Sequence, residues 1–108
     1  MKLRNVLNSI VANDIVNALQ SKRFDIDWVR FNYCNAYTTA GALIEITLGN
    51  DDYYVLPIMS YTTVVGFVYN GVAYEVGKYS RTTSKQFTQI CNTYFPHCDR
   101  TYVEKRYC

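Results

Sequence analysis

The chain has one histidine, two prolines, five glycines and one tryptophan among 108 residues. Each scarcity removes a class of chemistry. His97 is the sole candidate for histidine-dependent catalysis, and it lies between Pro96 and Cys98 with no evident third group to orient it. The few glycines form no phosphate-cradling loop, and neither a G-x-S-x-G elbow nor an H-E-x-x-H pair occurs. No apolar run is long enough for a signal peptide or a membrane span, because Asn8, Ser9, Asn13 and Asp14 interrupt the first apolar pattern. A dominant charge is also lacking. Eleven basic and nine acidic residues give a net charge of +2, too balanced to point to nucleic acid by itself.

What is present is a folding composition. Hydrophobic residues make up 49% and charged residues 19%, which excludes disorder, collagen-like repeats and coiled coil. The length fits one domain spanning residues 1–108. Four cysteines, Cys34, Cys91, Cys98 and Cys108, occur without a C-x-x-C pair. Their spacing with His97 does not match a structural zinc site, so neither metal nor another cofactor is expected. The absence of a secretion-type stretch predicts a cytoplasmic protein with reduced thiols.

Leu3, Val6, Leu7, Ile10, Val11, Ile15 and Leu19 recur at helical spacing, which predicts a helix from about Lys2 to Gln20. Arg4, Asn8, Asn13 and Asn17 fall largely on the other side of that wheel. From Asp27 the period changes to two. Trp28–Tyr33, Ala42–Leu48 and Tyr53–Met59 read as strands, with Pro57 marking an edge or a bulge. Gly49 to Asp52 reads as a turn. Thr63–Tyr69 and Val72–Val76 flank Asn70-Gly71, the signature of a two-residue type I′ hairpin. That register pairs Tyr69 with Val72, Phe67 with Tyr74 and Val65 with Val76 on one face, and puts Gly66 opposite Glu75 on the other.

Thr83 and Gln86 fit a capping box for a second helix, with Phe87, Ile90, Cys91 and Tyr94 as its apolar stripe and Pro96 as its stop. Tyr102 and Val103 are suited to a short final strand. The expected architecture is α+β: an antiparallel sheet of four to five strands, with the N-terminal and C-terminal helices packed on one face.

Carboxylates offer little. Asp51 and Asp52 belong to a turn, Asp25 and Asp27 to a strand approach, and only Glu45 and Glu75 lie inside strands. The unusual feature is the stretch Lys78, Tyr79, Ser80, Arg81, Thr82, Thr83, Ser84 and Lys85. Its cations and hydroxyls surround a helix start, where free backbone N–H groups favour an anion. Lys78, Tyr79, Arg81, Thr82, Thr83 and Lys85 are therefore the candidate partner- or anion-binding residues; the alternative is an ordinary cap with solvated charges. Tyrosine is abundant, at eleven residues. Tyr53, Tyr54, Tyr61, Tyr79, Tyr102 and Tyr107 lie near element ends, where they suit either a binding surface or strand propensity.

Ser60-Tyr61-Thr62-Thr63-Val64-Val65, followed by the hairpin and by Lys78 to Lys85, resembles a family of small, functionally uncharacterised proteins of phages and mobile elements. These carry an SY-x-T strand, a turn, and a helix start of the YS-x-TTSKH kind. The resemblance covers roughly residues 42–95. Gln86 stands where many members have histidine, so no histidine role carries over. The resemblance implies an accessory protein acting in the cytoplasm of a bacterial host. Small proteins of that kind often bind and block a host defence protein, including CRISPR nucleases. The expectation is thus a non-enzymatic protein that binds a host protein, a defence inhibitor of anti-CRISPR type. The alternative is a small nucleic-acid-binding module using the basic loop at the second helix. No membrane partner is expected.

Overall fold

The computed structural model describes residues 6–21, 28–31, 36–39, 41–77 and 81–106. Within them lie helix α1 (Ser9–Ser21), strands β1 (Val29–Arg30), β2 (Ala36–Thr38), β3 (Ile44–Leu48), β4 (Asp51–Ser60), β5 (Thr63–Tyr69) and β6 (Val72–Val76), helix α2 (Arg81–Tyr94) and strand β7 (Asp99–Val103). The fold is α+β, as the alternation of periods requires. Its sheet is larger than expected, with seven strands among the described residues, in the order β1-β2-β4-β5-β6-β7 and β3 beside β4. All pairings are antiparallel except the last, where β7 runs parallel to β6.

The β5–β6 hairpin has the expected register. Tyr69 faces Val72, Phe67 faces Tyr74 and Gly66 faces Glu75. Asn70 and Gly71 both have positive φ, 50° and 77°, as a type I′ turn demands. The third expected pair, Val65 with Val76, does not form. Between Gly66 and Val64 of β5 the partner on β4 advances only from Ile58 to Met59, so Val65 is the extra residue of a bulge. The bulge resets the alternation. Val64, Phe67, Tyr74 and Val76 join one core cluster, and Val65 joins the other.

Those two clusters fix where the helices sit. Ala12, Ile15, Val16 and Leu19 of α1 pack with Phe67, Val72, Tyr74 and Val76. Phe87, Ile90 and Cys91 of α2 pack with Ala36, Ile58, Val65, Val68 and Ala73. Val72 and Tyr74 alternate with Ala73 along β6, so each helix covers one face, and the two faces are opposite. This differs from the single shared face read from the sequence. The reason is that β6 buries both faces: Ala73 is as enclosed as Tyr74.

Two further residues show how the strands are placed. Pro57 is buried in β4, a strand with partners on both sides. β3 pairs with Asp51–Val55 and β2 with Ile58–Ser60, so Pro57 sits in the gap between these two ladders. Helix α1 starts at Ser9, later than expected, because Asn8 caps it. Its Oδ1 accepts the Val11 N–H at 2.9 Å and its carbonyl accepts the Ala12 N–H at 3.0 Å. Val6 and Ile10, counted in the apolar stripe, are exposed. The expected positions Lys2, Leu3, Arg4, Asp25, Asp27, Tyr33, Cys34, Tyr107 and Cys108 lie outside the described residues.

Candidate functional site

The candidate stretch meets the fold at the first turns of α2. Lys78, Tyr79 and Ser80 lie outside the described residues; Arg81, Thr82, Thr83 and Lys85 are helical. Thr83 is not the cap, since the helix already begins at Arg81. Gln86 does not reach back as a capping partner either, and its Oε1 is buried with no hydrogen-bond partner. Beginning at Arg81 turns Thr83, Phe87, Ile90 and Cys91 toward the sheet.

Helical geometry then divides the candidates. Arg81 and Lys85, four residues apart, share the outward side with Thr82 beside them, and all three are exposed. Thr83 is half-buried on the inner side. It lines a pocket of about 170 Å³ with Ser60, Tyr61, Thr63 and Val65. The SY-x-T segment and the helix start, distant in sequence, therefore meet across this pocket.

The β4–β5 turn that forms its rim is held from the far side of the sheet. Gln20 of α1 donates from Nε2 to the Thr62 carbonyl at 2.9 Å, and its Oε1 accepts the Val64 N–H at 2.6 Å. Tyr61 has φ 55°, a left-handed conformation rarely taken by a large side chain, and is 62% exposed. The Ser60 hydroxyl behind it is buried and unpartnered, as is that of Thr38. Sequence reading picked out Tyr61 only as one tyrosine among several and missed Ser60; the SY-x-T motif was the signal that contained both.

Electrostatics at this end of α2 are one-sided. The helix contains no acidic residue. Arg81 sits in the first turn, where the backbone dipole is positive and disfavours a cation by about 0.3–1 kcal/mol, and Lys85 lies one turn further in, where that effect has faded.

The other candidate groups are dispersed. His97 lies in an exposed turn after α2. Cys91 is buried beneath the helix, and that burial pushes its thiol up to about 12, partly offset by the Arg100 charge. A thiol so held is protonated near neutral pH and is a poor nucleophile. Among the described residues, no group of three or more His, Cys, Asp or Glu side chains is placed to hold a metal ion. Tyr53 packs edge-on against Tyr69 at 5.5 Å, which gives it a structural role, whereas Tyr54 and Tyr102 are exposed. No described helix is long and apolar enough to cross a membrane. Comparison with protein families, curated proteins and solved structures finds no match to this chain.

Proposed function

We propose that this is a non-enzymatic binding protein whose contact surface is the outward side of the first turns of α2. Arg81, Thr82 and Lys85 form that surface, and Lys78 and Tyr79 precede it in the chain. The observation that carries the reading is a cost without an internal return. Exposed Arg81 occupies the first turn of a helix whose dipole disfavours it, exposed Lys85 follows one turn on, and the helix has no carboxylate to offset either cation. Such an arrangement suits an acidic surface on another molecule. The exposed Tyr61 extends the surface toward the β4–β5 turn.

The partner proposed is a host protein. The resemblance of the Ser60–Val65 and Lys78–Lys85 segments to small phage and mobile-element proteins directs this to a bacterial defence protein, a CRISPR nuclease among them, in the host cytoplasm. The net charge of only +2 favours a protein surface over nucleic acid.

The test is affinity capture from bacterial lysate with the full chain, with and without nuclease treatment, beside a Lys78→Ala/Arg81→Ala/Lys85→Ala variant. A nuclease-resistant partner retained by the wild type and lost by the folded variant supports the proposal. Capture that disappears with nuclease transfers the surface to nucleic acid. Equal capture by both chains reduces the basic stretch to a helix start.

A further inference from the structure

A second pocket lies on the α2 face at the β7 edge, one helical turn beyond Lys85. It has a volume of about 240 Å³ and is lined by Glu75, Phe87, Thr88, Arg100, Thr101 and Tyr102. The strand register explains how these residues meet. Glu75 pairs with Tyr102 and Ala73 with Arg100, so Glu75, Arg100 and Tyr102 share the face that α2 covers. Phe87 supplies the apolar floor. Its ring lies over Gly66, where an added Cβ would approach Phe87 Cε2 to 2.6 Å, so only glycine leaves room for it.

The charges in this pocket are unusual. Half-buried Glu75 and exposed Arg100 line one cavity, and both charges lie near enough to Cys91 to act on its thiol. A pair of opposite charges this exposed gains little net stability from contact, so each charge is available to a ligand. From this we infer that the pocket binds a small zwitterion, an α-amino acid with an aliphatic side chain. The ammonium group sits inside beside Glu75. The carboxylate lies at the mouth against Arg100, whose planar fork suits it. The side chain rests on the Phe87 ring.

This inference does not depend on the basic surface of α2, and one experiment separates the two. The full chain is titrated with L-leucine, with its decarboxylated analogue 3-methylbutylamine and with its deaminated analogue 4-methylpentanoate, followed by calorimetry and amide chemical shifts. L-leucine is expected to bind, and each analogue to bind about tenfold more weakly or worse, because each leaves one charged group unpaired. Shift changes should centre on Glu75, Thr88 and Tyr102. Glu75→Gln should abolish the preference over the deaminated analogue, and Arg100→Gln the preference over the amine. Arg81→Ala, two turns from Thr88, should bind L-leucine as the wild type does. No binding of any of the three, equal binding of all three, or unchanged L-leucine affinity in both folded pocket variants would overturn the inference. The comparison among ligands uses the wild-type chain, so it stands even if a variant fails to fold.

Discussion

The side chain of Asn13 accepts the backbone N–H of Arg106 at 2.9 Å, tying the first helix to the end of the described chain. The same carboxamide donates to the Ser9 carbonyl at 2.8 Å and to the Glu104 carbonyl at 3.0 Å. Asn13 is 3% exposed, while Ser9, Glu104 and Arg106 lie at the surface, so these bonds are partly buried. Asn13→Ala should therefore destabilise the protein by about 1–3 kcal/mol, the net worth of its two long-range hydrogen bonds. Denaturant melting measures it, and hydrogen exchange should show the Arg106 amide opening well before the sheet does.

Asn13 also shows the limit of reading by wheel position. Its place among polar neighbours suggested a solvated face, and nothing local revealed that β7 would bring residues 104–106 over it. The hairpin was legible because Asn70-Gly71 dictates both turn and register within a few residues. The bulge at Val65 was legible only in part: Pro57 marked an edge or a bulge in β4, and the register shift falls just after it between Ile58 and Met59, but nothing local assigned the extra residue to Val65 of β5. The final strand was read at Tyr102 and Val103, but its start at Asp99 hides in a polar sequence in which only Val103 is buried, and β2 hides behind a run of only three paired residues. At the site, composition located the cationic stretch, but only the helix phase separates Arg81 and Lys85 from Thr83. The pocket of Glu75 and Arg100 depends on a parallel pairing that no local pattern encodes.

Gly66 and Phe67 are adjacent and serve opposite faces, so they give a contrasting pair of variants. A Cβ at Gly66 would fall on the Tyr74 carbonyl oxygen and against Phe87. Gly66→Ala should cost about 1–3 kcal/mol or more through overpacking and displacement of α2. Phe67 is fully buried and stacks on Tyr74 with centroids 4.8 Å apart. Phe67→Ala should cost about 3–5 kcal/mol and loosen α1 instead. Amide exchange in each variant, followed helix by helix, checks the assignment of faces. Loosening of the same helix in both variants would refute it.

Cys91 predicts the alkaline limb of the stability curve. Its ordinary value is 9.0, and burial in the folded chain raises it to about 12. Burial also raises Tyr74, although its hydroxyl accepts the Leu7 N–H at 3.0 Å, which acts in the opposite direction. A thiol raised on folding gives stability that is complete below pH 9 and declines as the pH rises toward 12, because only the unfolded chain ionises freely. Denaturant midpoints from pH 8 upward should fall with pH, and more shallowly in Cys91→Ala, whose baseline is lower from the lost packing. Parallel curves for the two chains would remove Cys91 as a cause.

The strongest discrimination concerns Arg81 and Lys85, because fold and function want opposite things there. If the cations serve only a partner, removing them should not weaken the fold. Arg81→Glu puts a carboxylate in the first turn of α2, where the dipole favours it by about 0.3–1 kcal/mol. Its melting temperature should stay level or rise slightly. The same change places a negative charge against the proposed acidic surface, so the association rate should drop and the loss should shrink as salt is added. Stability and binding should thus move in opposite directions in one variant. A stability loss above about 1 kcal/mol would assign Arg81 to the fold. The surface would then have to rest on Tyr61 and the β4–β5 turn, which Tyr61→Ala would test in the same binding assay.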